Sequence, residues 1–343
     1  MARKERCRHV GSNRAAGKVL DKRCLRRFVI SMKRTFAAAA GIMLAVGVAR
    51  SGGMDSPAKP AVGSEHVIAD LLADKDGELA HAAEQLLGKN GGDKLFYFPT
   101  KDAPHNPAQC GLKYEDVSFA SRDGTRLSGW FLPASGKRVK GTVVFSHGNA
   151  GAMGYHLGFV DWLVPRGFNV LLYDYRGFGL SGGDVDRRGM IDDVHAAFDY
   201  VRTRRDVDRG RLISLAHSLG GAQSITALGE RPVRGLRAVI TEGAFASYQQ
   251  MAQVIAGNVG GRLVSDDWSP KDWVAKIAPV PLLLVHGTDD RVVPVGQSRE
   301  LYAAAKEPKR IFEVPGGSHG DSLCRNGGEY RKKVLGWLEQ VMR

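Results

Sequence analysis

The sequence predicts an α/β fold in which a mostly parallel sheet is covered by helices on both faces. From residue 140 to the end of the chain, short apolar runs of strand length alternate with longer helical segments. Such alternation is typical of parallel sheets with right-handed crossovers. Most of the runs are apolar throughout, as strands buried on both faces are. Because sites in such sheets lie outside the C-terminal ends of the strands, the residues that follow each strand are the candidates for chemistry.

The elements are predicted in order along the chain. Two alternating segments, 115–121 and 126–132, flank an Asp-Gly turn and predict a β-hairpin. After it, strands are predicted at 142–146, 169–173, 212–216, 238–241, 282–286 and 310–314, and helices at 156–166, 191–204, 221–230, 296–306 and 329–341. The segment 243–281 is the one candidate for a lid, so a small lid or none and a fairly open site are expected. Its large apolar residues either line an acyl pocket or pack in the core: Phe245, Tyr248, Met251, Trp268 and Trp273.

The positive charge of the chain is concentrated at its N-terminus. The formal net charge is +13, but residues 1–50 hold 13 Lys and Arg against 2 Asp and Glu, so the remainder carries only +2. A nearly neutral body excludes nucleic acid as the main partner. Within this leader, Lys33 and Arg34 precede an uncharged apolar run at 35–49 that ends in small residues. The run is shorter than the roughly 20 residues of a spanning helix and is typical of a secretory signal peptide, with an uncleaved anchor as the alternative.

These patterns divide the chain into three parts: a basic leader with a signal peptide or membrane anchor at 1–50, a tether, helix and irregular lead-in at 51–112, and the α/β domain at 113–343. The tether at 51–64 is rich in Gly, Pro and Ala, and helical periodicity follows at 65–87. We therefore expect a protein that is exported to the periplasm or the extracellular space, or anchored in a membrane by its N-terminal segment. Cys110 and Cys324 lie outside the leader, and either a disulfide or two free thiols fits them.

Ser218 is the first candidate for chemistry. It follows the apolar run Leu212–Ala216 and has small residues two positions before and after it, Ala216 and Gly220. A serine on a sharp strand-to-helix turn needs small residues there, because bulky side chains would collide across the turn. On such a turn the hydroxyl points out of the sheet, and the N–H of Leu219 can stabilise an oxyanion. A serine and glycine at this spacing also recur by chance, so the partners of Ser218 must decide.

Three further loops follow predicted strands and supply such partners. The N–H of Asn149, in a glycine-containing loop, is the second candidate oxyanion donor, and the spacing of this loop fits neither a dinucleotide fingerprint nor a P-loop. Asp289 and Asp290 compete for the acid that orients an imidazole, since an Asp-rich turn explains one of them. His319 is the candidate general base, which gives the chain order serine, aspartate, histidine.

The remaining histidines predict no further site. His147 is interpreted as orienting its loop rather than as a base. Six others have no comparable setting and are interpreted as surface or leader residues: His9, His66, His81, His105, His156 and His195. No Cys and His spacing predicts a metal site, and no H-E-x-x-H motif is present.

The combination of motifs resembles the α/β-hydrolase superfamily over roughly residues 114–342, and within it the Bem46-like membrane-associated serine hydrolases. The stretches that carry the resemblance are Asp123–Trp130, His147–Gly151 and Tyr173–Ser181, together with the loops of the acid and the histidine. The resemblance implies an α/β-hydrolase fold for residues 113–343, with no cofactor and no metal. The acid motif of the family, H-G-x-x-D-x-x-V-P, falls on Asp290 rather than Asp289. Ala216 replaces the usual first glycine of the serine motif, as in certain bacterial lipases, so activity is expected to be retained.

The sequence thus predicts a serine hydrolase that cleaves carboxylic esters or thioesters through an acyl-enzyme on Ser218. The predicted partner is a small-molecule ester or an acylated substrate. One alternative is a serine peptidase of the prolyl-oligopeptidase type, although no propeller domain is evident. The other is a hydrolase-like binding module without catalysis, which would normally have lost part of the serine–aspartate–histidine set.

Overall fold

The computed structural model describes residues 93–102, 105–136 and 138–343. The predicted leader, tether and helix at 65–87 lie outside these residues. Among the helices that are described, none has both the length and the apolar content to cross a bilayer.

An eight-stranded sheet forms the centre of the molecule. Its strands are β2 (Glu115–Ala120), β3 (Arg126–Leu132), β4 (Gly141–Ser146), β6 (Phe168–Asp174), β7 (Leu212–His217), β8 (Leu236–Glu242), β9 (Leu282–Gly287) and β10 (Lys309–Val314). They lie in the order β10-β9-β8-β7-β4-β6-β3-β2, in which β2 and β3 form the antiparallel hairpin and all other pairs except β3–β6 are parallel. A separate parallel pair joins β1 (Phe98–Pro99) to β5 (Ala150–Gly151). The predicted hairpin and mostly parallel sheet are confirmed.

Helices cover both faces of the sheet because alternate residues of each strand point to opposite sides. The α-helices are α1 (Arg187–Thr203), α2 (Leu219–Glu230), α3 (Tyr248–Leu263), α4 (Gly296–Ala304) and α5 (Arg325–Val341). In β4, Val144 packs in the core shared with α1, α2 and α4, whereas its neighbour Val143 packs in the core shared with α5. Each core thus holds one face of the same strands, and the loops at the C-terminal ends of the strands lie on a rigid base.

Two predicted helices differ from the structure. The segment predicted as one helix at 156–166 consists of two 3-10 helices, Met153–Phe159 and Asp161–Arg166, and Pro165 lies inside the second. Proline cannot donate the backbone hydrogen bond that an α-helix needs there. In α5, Asn326, Gly327 and Gly328 have positive φ angles, so the regular helix follows them, near the predicted start at 329.

The hairpin is fixed to the body by the buried guanidinium of Arg176. This group donates to Asp193 in α1 at 2.8 Å and to Asp123 in the hairpin turn at 2.8 Å. Cys110 and Cys324, for which a disulfide was one of the alternatives, are both free thiols.

Candidate active site

Ser218 occupies the turn between β7 and α2 with φ 54° and ψ −120°. A positive φ at a residue other than glycine is a strained conformation that costs about 1–3 kcal/mol. The turn is also tightly packed, because a Cβ placed on Gly220 would lie 2.1 Å from the carbonyl oxygen of Ser146 and 2.4 Å from that of His147. Only glycine fits at that position. Ala216, by contrast, is fully buried, and its methyl group is accommodated in the core.

The structure brings Ser218 and His319 into contact, although 101 residues separate them in the chain. The Nε2 atom of His319 lies 2.9 Å from the hydroxyl oxygen of Ser218, and its Nδ1 atom lies 2.7 Å from Oδ2 of Asp290. All three side chains are more than nine-tenths buried. A hydroxyl, an imidazole and a carboxylate in this continuous series can move a proton from the hydroxyl to the ring.

Of the two aspartates that compete for the acid, Asp290 faces the imidazole. Its Oδ1 atom accepts hydrogen bonds from the amides of Val292 and Val293, both at 2.9 Å, which leaves Oδ2 directed at His319. Asp289 is exposed, and its carboxylate accepts from the neighbouring Thr288 hydroxyl. The chain order alone did not separate the two residues; the direction of their side chains does.

The carboxyl of Asp290 is held in its ionised form. Burial raises its pKa, but the charge of His319 and hydrogen bonds from His286, His319 and Val293 together lower the pKa well below its usual value. His286 is itself fixed, since its Nδ1 atom lies 2.6 Å from the Ser298 hydroxyl and its Nε2 atom 2.8 Å from the carbonyl oxygen of Val293. An ionised carboxylate at Nδ1 orients the ring and stabilises its protonated form.

The two candidate oxyanion donors lie on the two elements that meet at Gly220. Leu219 is the first residue of α2, and the first amides of a helix have no acceptor within the helix. Asn149 lies three residues after the end of β4. Gly220 packs against the backbone of Ser146, the last residue of β4, and of His147, which follows it. Leu219 and Asn149 thus belong to the two segments that pack together beside the serine turn.

Glu242 is a residue near the site that the sequence analysis missed. It is the last residue of β8 and is 2 % exposed, and its backbone carbonyl accepts from the amide of Ser218 at 2.9 Å. Its Oε1 atom accepts from the amide of Leu323 at 3.1 Å, four residues after His319. Burial raises the pKa of Glu242 to about 7, although the Leu323 hydrogen bond and His319 act to lower it. The signal in the sequence was an acidic residue directly at the end of an apolar strand.

A group of histidine rings that pack against one another was also missed; the rings of His147 and His156 are stacked, and the other pairs are tilted. His156, which was interpreted as a surface residue, is 2 % exposed and packs 5.0 Å from the ring of His147. His217 packs 4.8 Å from the ring of His319 and 6.3 Å from that of His156. Burial lowers the pKa of His156 to about 3 and that of His217 well below its usual value, with further lowering by neighbouring histidines. The rings of His156 and His217 are therefore neutral.

His195 was likewise interpreted as a surface residue and is 5 % exposed, in α1 away from these rings. Burial lowers its pKa to about 4. His156 in its 3-10 helix and His195 in α1 are buried by tertiary contacts that no local motif in the sequence predicts.

The segment 243–281 contains α3 and two short 3-10 helices. Phe245, Tyr248 and Met251 are buried in the core shared with α1 and α2, which favours packing over a role in an acyl pocket. Trp268 is 37 % exposed and Trp273 is half-buried. Gly243 begins this segment, and a Cβ there would lie 3.1 Å from Nδ1 of His319.

In the part of the chain that the structure describes, no three His, Cys, Asp or Glu side chains are arranged to hold a metal ion. The side chains that the structure brings together at the strand ends are a hydroxyl, an imidazole and a carboxylate.

Comparison with protein-family models gives a match of residues 137–266 to the family described as serine aminopeptidase, S33. The protein YfhR of Escherichia coli K12 is 41 % identical over 249 residues, which cover 71 % of this chain and 86 % of YfhR. The α/β-hydrolase domain-containing protein WAV2 of Arabidopsis thaliana is 33 % identical, with 72 % of this chain and 87 % of WAV2 covered. The bem46 protein of Schizosaccharomyces pombe is 26 % identical, with 68 % and 82 % covered.

Among solved structures, the esterase Pf2001 of Pyrococcus furiosus superposes with a TM-score of 0.62 and 18 % sequence identity. The alignment covers 72 % of this chain and 99 % of that structure. At this identity the likeness concerns the fold.

Proposed function

The chain belongs to the α/β-hydrolase superfamily, in which it resembles the Bem46-like proteins, and from that premise we propose that this hydrolase cleaves carboxylic esters or thioesters with Ser218 as its nucleophile. The observation that carries the proposal is the unbroken series of contacts from Ser218 through His319 to Asp290, at 2.9 and 2.7 Å. The series is buried and held by backbone amides, so it is preorganised for proton transfer.

In the proposed reaction, Nε2 of His319 takes the proton of Ser218 as the hydroxyl oxygen attacks the substrate carbonyl. Asp290 holds the ring by Nδ1 and stabilises the imidazolium. The tetrahedral intermediate then expels the alcohol or thiol, which receives the proton from His319. A water molecule, deprotonated by the same imidazole, attacks the acyl-enzyme and releases the carboxylic acid and the free Ser218 hydroxyl.

The amides of Leu219 and Asn149 are proposed to stabilise the oxyanion of both tetrahedral intermediates. Removing one such donor from a serine hydrolase lowers kcat by about 10²–10³. Support comes from the contact between the first turn of α2 and the end of β4, because Leu219 begins α2 and Asn149 lies three residues after β4.

The substrate proposed is a small ester or an acylated molecule that reaches the site without displacing a large lid. The segment between β8 and β9 contains α3 and short 3-10 helices and no larger inserted domain, which supports this proposal.

The proposal is tested by labelling the protein with a fluorophosphonate probe and by following hydrolysis of p-nitrophenyl esters. Ser218→Ala should abolish labelling and lower kcat by several orders of magnitude. Ser214→Ala is the matched control, because Ser214 is a buried serine in β7, the strand that leads to Ser218. This substitution should leave both readouts unchanged. Labelling that persists in Ser218→Ala would refute the assignment of the nucleophile. A well-folded protein that neither labels nor hydrolyses esters or amides would favour a binding module.

Amide hydrolysis is the second candidate function, and the match to the serine aminopeptidase family favours it. The same three side chains serve esters and amides. Comparing kcat/KM for p-nitrophenyl esters with that for aminoacyl p-nitroanilides separates the two. A higher value for the anilides would replace the esterase proposal with a peptidase.

We also propose that the protein is exported or held at a membrane by its N-terminal segment. The basic residues followed by the uncharged run at 35–49 support this proposal. Cell fractionation and N-terminal sequencing of the recovered protein test it, and a protein found in the cytosol with its leader intact would refute it.

A further inference from the structure

The residues just before the catalytic domain run along the loop that carries Asn149. We call residues 93–102 the strap. The strap contains a 3-10 helix (Asp93–Phe96) and β1, and β1 pairs in parallel with β5, so that Phe98 is level with Ala150 and Pro99 with Gly151. The amide of Phe98 donates to the carbonyl oxygen of Asn149 at 2.8 Å, and the amide of Thr100 donates to that of Gly151 at 3.3 Å.

The loop at 147–153 needs such support, because it contains two glycines and has few local constraints of its own. At its start, the hydroxyl of Tyr175 donates to the carbonyl oxygen of His147 at 3.1 Å. At its end, the amide of Met153 donates to the carboxylate of Asp174 at 2.6 Å. Between these two points, the strap supplies the hydrogen bonds to Asn149 and Gly151, and the ring of His156 supplies one to Ala150.

The strap is itself fixed at both ends. At its N-terminal end, Asp93 forms a 2.7 Å ion pair with the buried side chain of Arg187. The same guanidinium donates to the carbonyl oxygens of Ser265 and Asp267 at 2.8 and 2.9 Å. At its C-terminal end, the carbonyl oxygen of Thr100 accepts from the amide of Gly179 at 2.8 Å.

The middle of the strap is anchored by an aromatic contact. Phe96 is 4 % exposed, and its ring lies 5.4 Å from that of Tyr248 and 6.3 Å from that of Phe245. Phe245 lies two residues after Gly243, which contacts the ring of His319. The strap therefore links the wall beside the general base to the loop with the proposed oxyanion donor.

We propose that the strap is a positioning element for the oxyanion hole, in which the Phe98 amide holds the carbonyl oxygen of Asn149 and so fixes the position of this residue, whose own N–H, part of the preceding peptide, then faces the developing oxyanion. The proposal rests on the proposed function. It assigns the effect to backbone hydrogen bonds, since the strap contacts the loop through its amides. A preorganised donor is effective because it needs no rearrangement when the charge forms.

The test compares Phe98→Pro, which removes the amide hydrogen, with Phe98→Ala, which keeps the hydrogen and removes the side chain. Phe98→Pro should lower kcat for a p-nitrophenyl ester about 10²-fold, as loss of one donor does, with little change in KM. Its inhibition constant for an alkyl trifluoromethyl ketone, which forms a tetrahedral oxyanion adduct on the serine, should rise by a similar factor. Phe98→Ala should stay within a few-fold of the wild type in both measurements.

The outcomes separate this inference from the function on which it rests. A wild-type protein that neither hydrolyses esters nor labels at Ser218 defeats the proposed function. An active wild type with equal kcat and equal ketone affinity in Phe98→Pro and Phe98→Ala defeats the strap alone. If Phe98→Pro does not fold, Thr100→Pro removes the weaker 3.3 Å bond and should give a smaller loss in the same direction. An unchanged Thr100→Pro would then count against the proposal.

Discussion

Replacing Gly220 by alanine tests the packing that places the serine turn beside the proposed oxyanion loop. The added Cβ would lie 2.1 Å from the carbonyl oxygen of Ser146, whereas ordinary contact begins near 3.4 Å. The opposing atoms are backbone, so no rotamer change relieves the overlap, and the first turn of α2 must move from the end of β4 by roughly 1 Å. A misplacement of about 1 Å costs about 10²-fold in rate, and we expect kcat/KM to fall at least that much.

The cost to stability follows from the same overlap. Overpacking of this kind destabilises by about 1–3 kcal/mol, which lowers Tm by about 2–12 °C for a domain of this size. The assay is p-nitrophenyl ester hydrolysis together with thermal unfolding followed by circular dichroism. Gly336→Ala is the matched control, because a Cβ there contacts nothing within 4 Å in α5 and alanine favours a helix interior by about 0.5–1 kcal/mol. A Gly220→Ala protein with wild-type kcat/KM and unchanged Tm would show that the close contact of Gly220 with β4 does not position the serine turn.

Three further outcomes are expected. Asp290→Asn keeps an acceptor for the backbone amides but removes the negative charge beside His319, so kcat should fall about 10⁴-fold. Asp289→Asn is the control at an exposed carboxylate and should match the wild type in the same kinetic assay. Glu242 binds a proton in the folded state up to about pH 7 and in the unfolded state only up to its ordinary pKa of 4.5. Stability should therefore fall as the pH rises through this window, by roughly 3 kcal/mol. Parallel Tm–pH profiles for wild type and Glu242→Gln would contradict this assignment. Asp193→Ala leaves the buried guanidinium of Arg176 without its fully buried partner and should lower the free energy of unfolding in urea by about 3 kcal/mol or more. A change under about 1 kcal/mol would show that the remaining partners, Asp123 and Asp186, compensate the charge.

Local signals in the sequence are enough to predict most strands and the hairpin of this fold. Apolar runs of strand length predicted the parallel strands, and the Asp-Gly turn predicted the hairpin, because burial and turn chemistry depend on nearby residues. The same local reasoning selected Ser218 and His319 as residues that follow strands. It failed at 156–166, where the residue pattern predicts one helix. The structure has two 3-10 helices there, with Pro165 inside the second.

Which side chains meet depends on the tertiary structure. Asp290 and Asp289 are adjacent and chemically identical, and although the resemblance favours Asp290, the contact with His319 follows from the direction of its carboxylate relative to a loop 29 residues away. Glu242, His156 and the strap carry no local motif, since their roles come from contacts across the strand ends. The composition of a segment predicts whether it is buried. Contact between distant segments depends instead on strand order and register, which are properties of the whole chain.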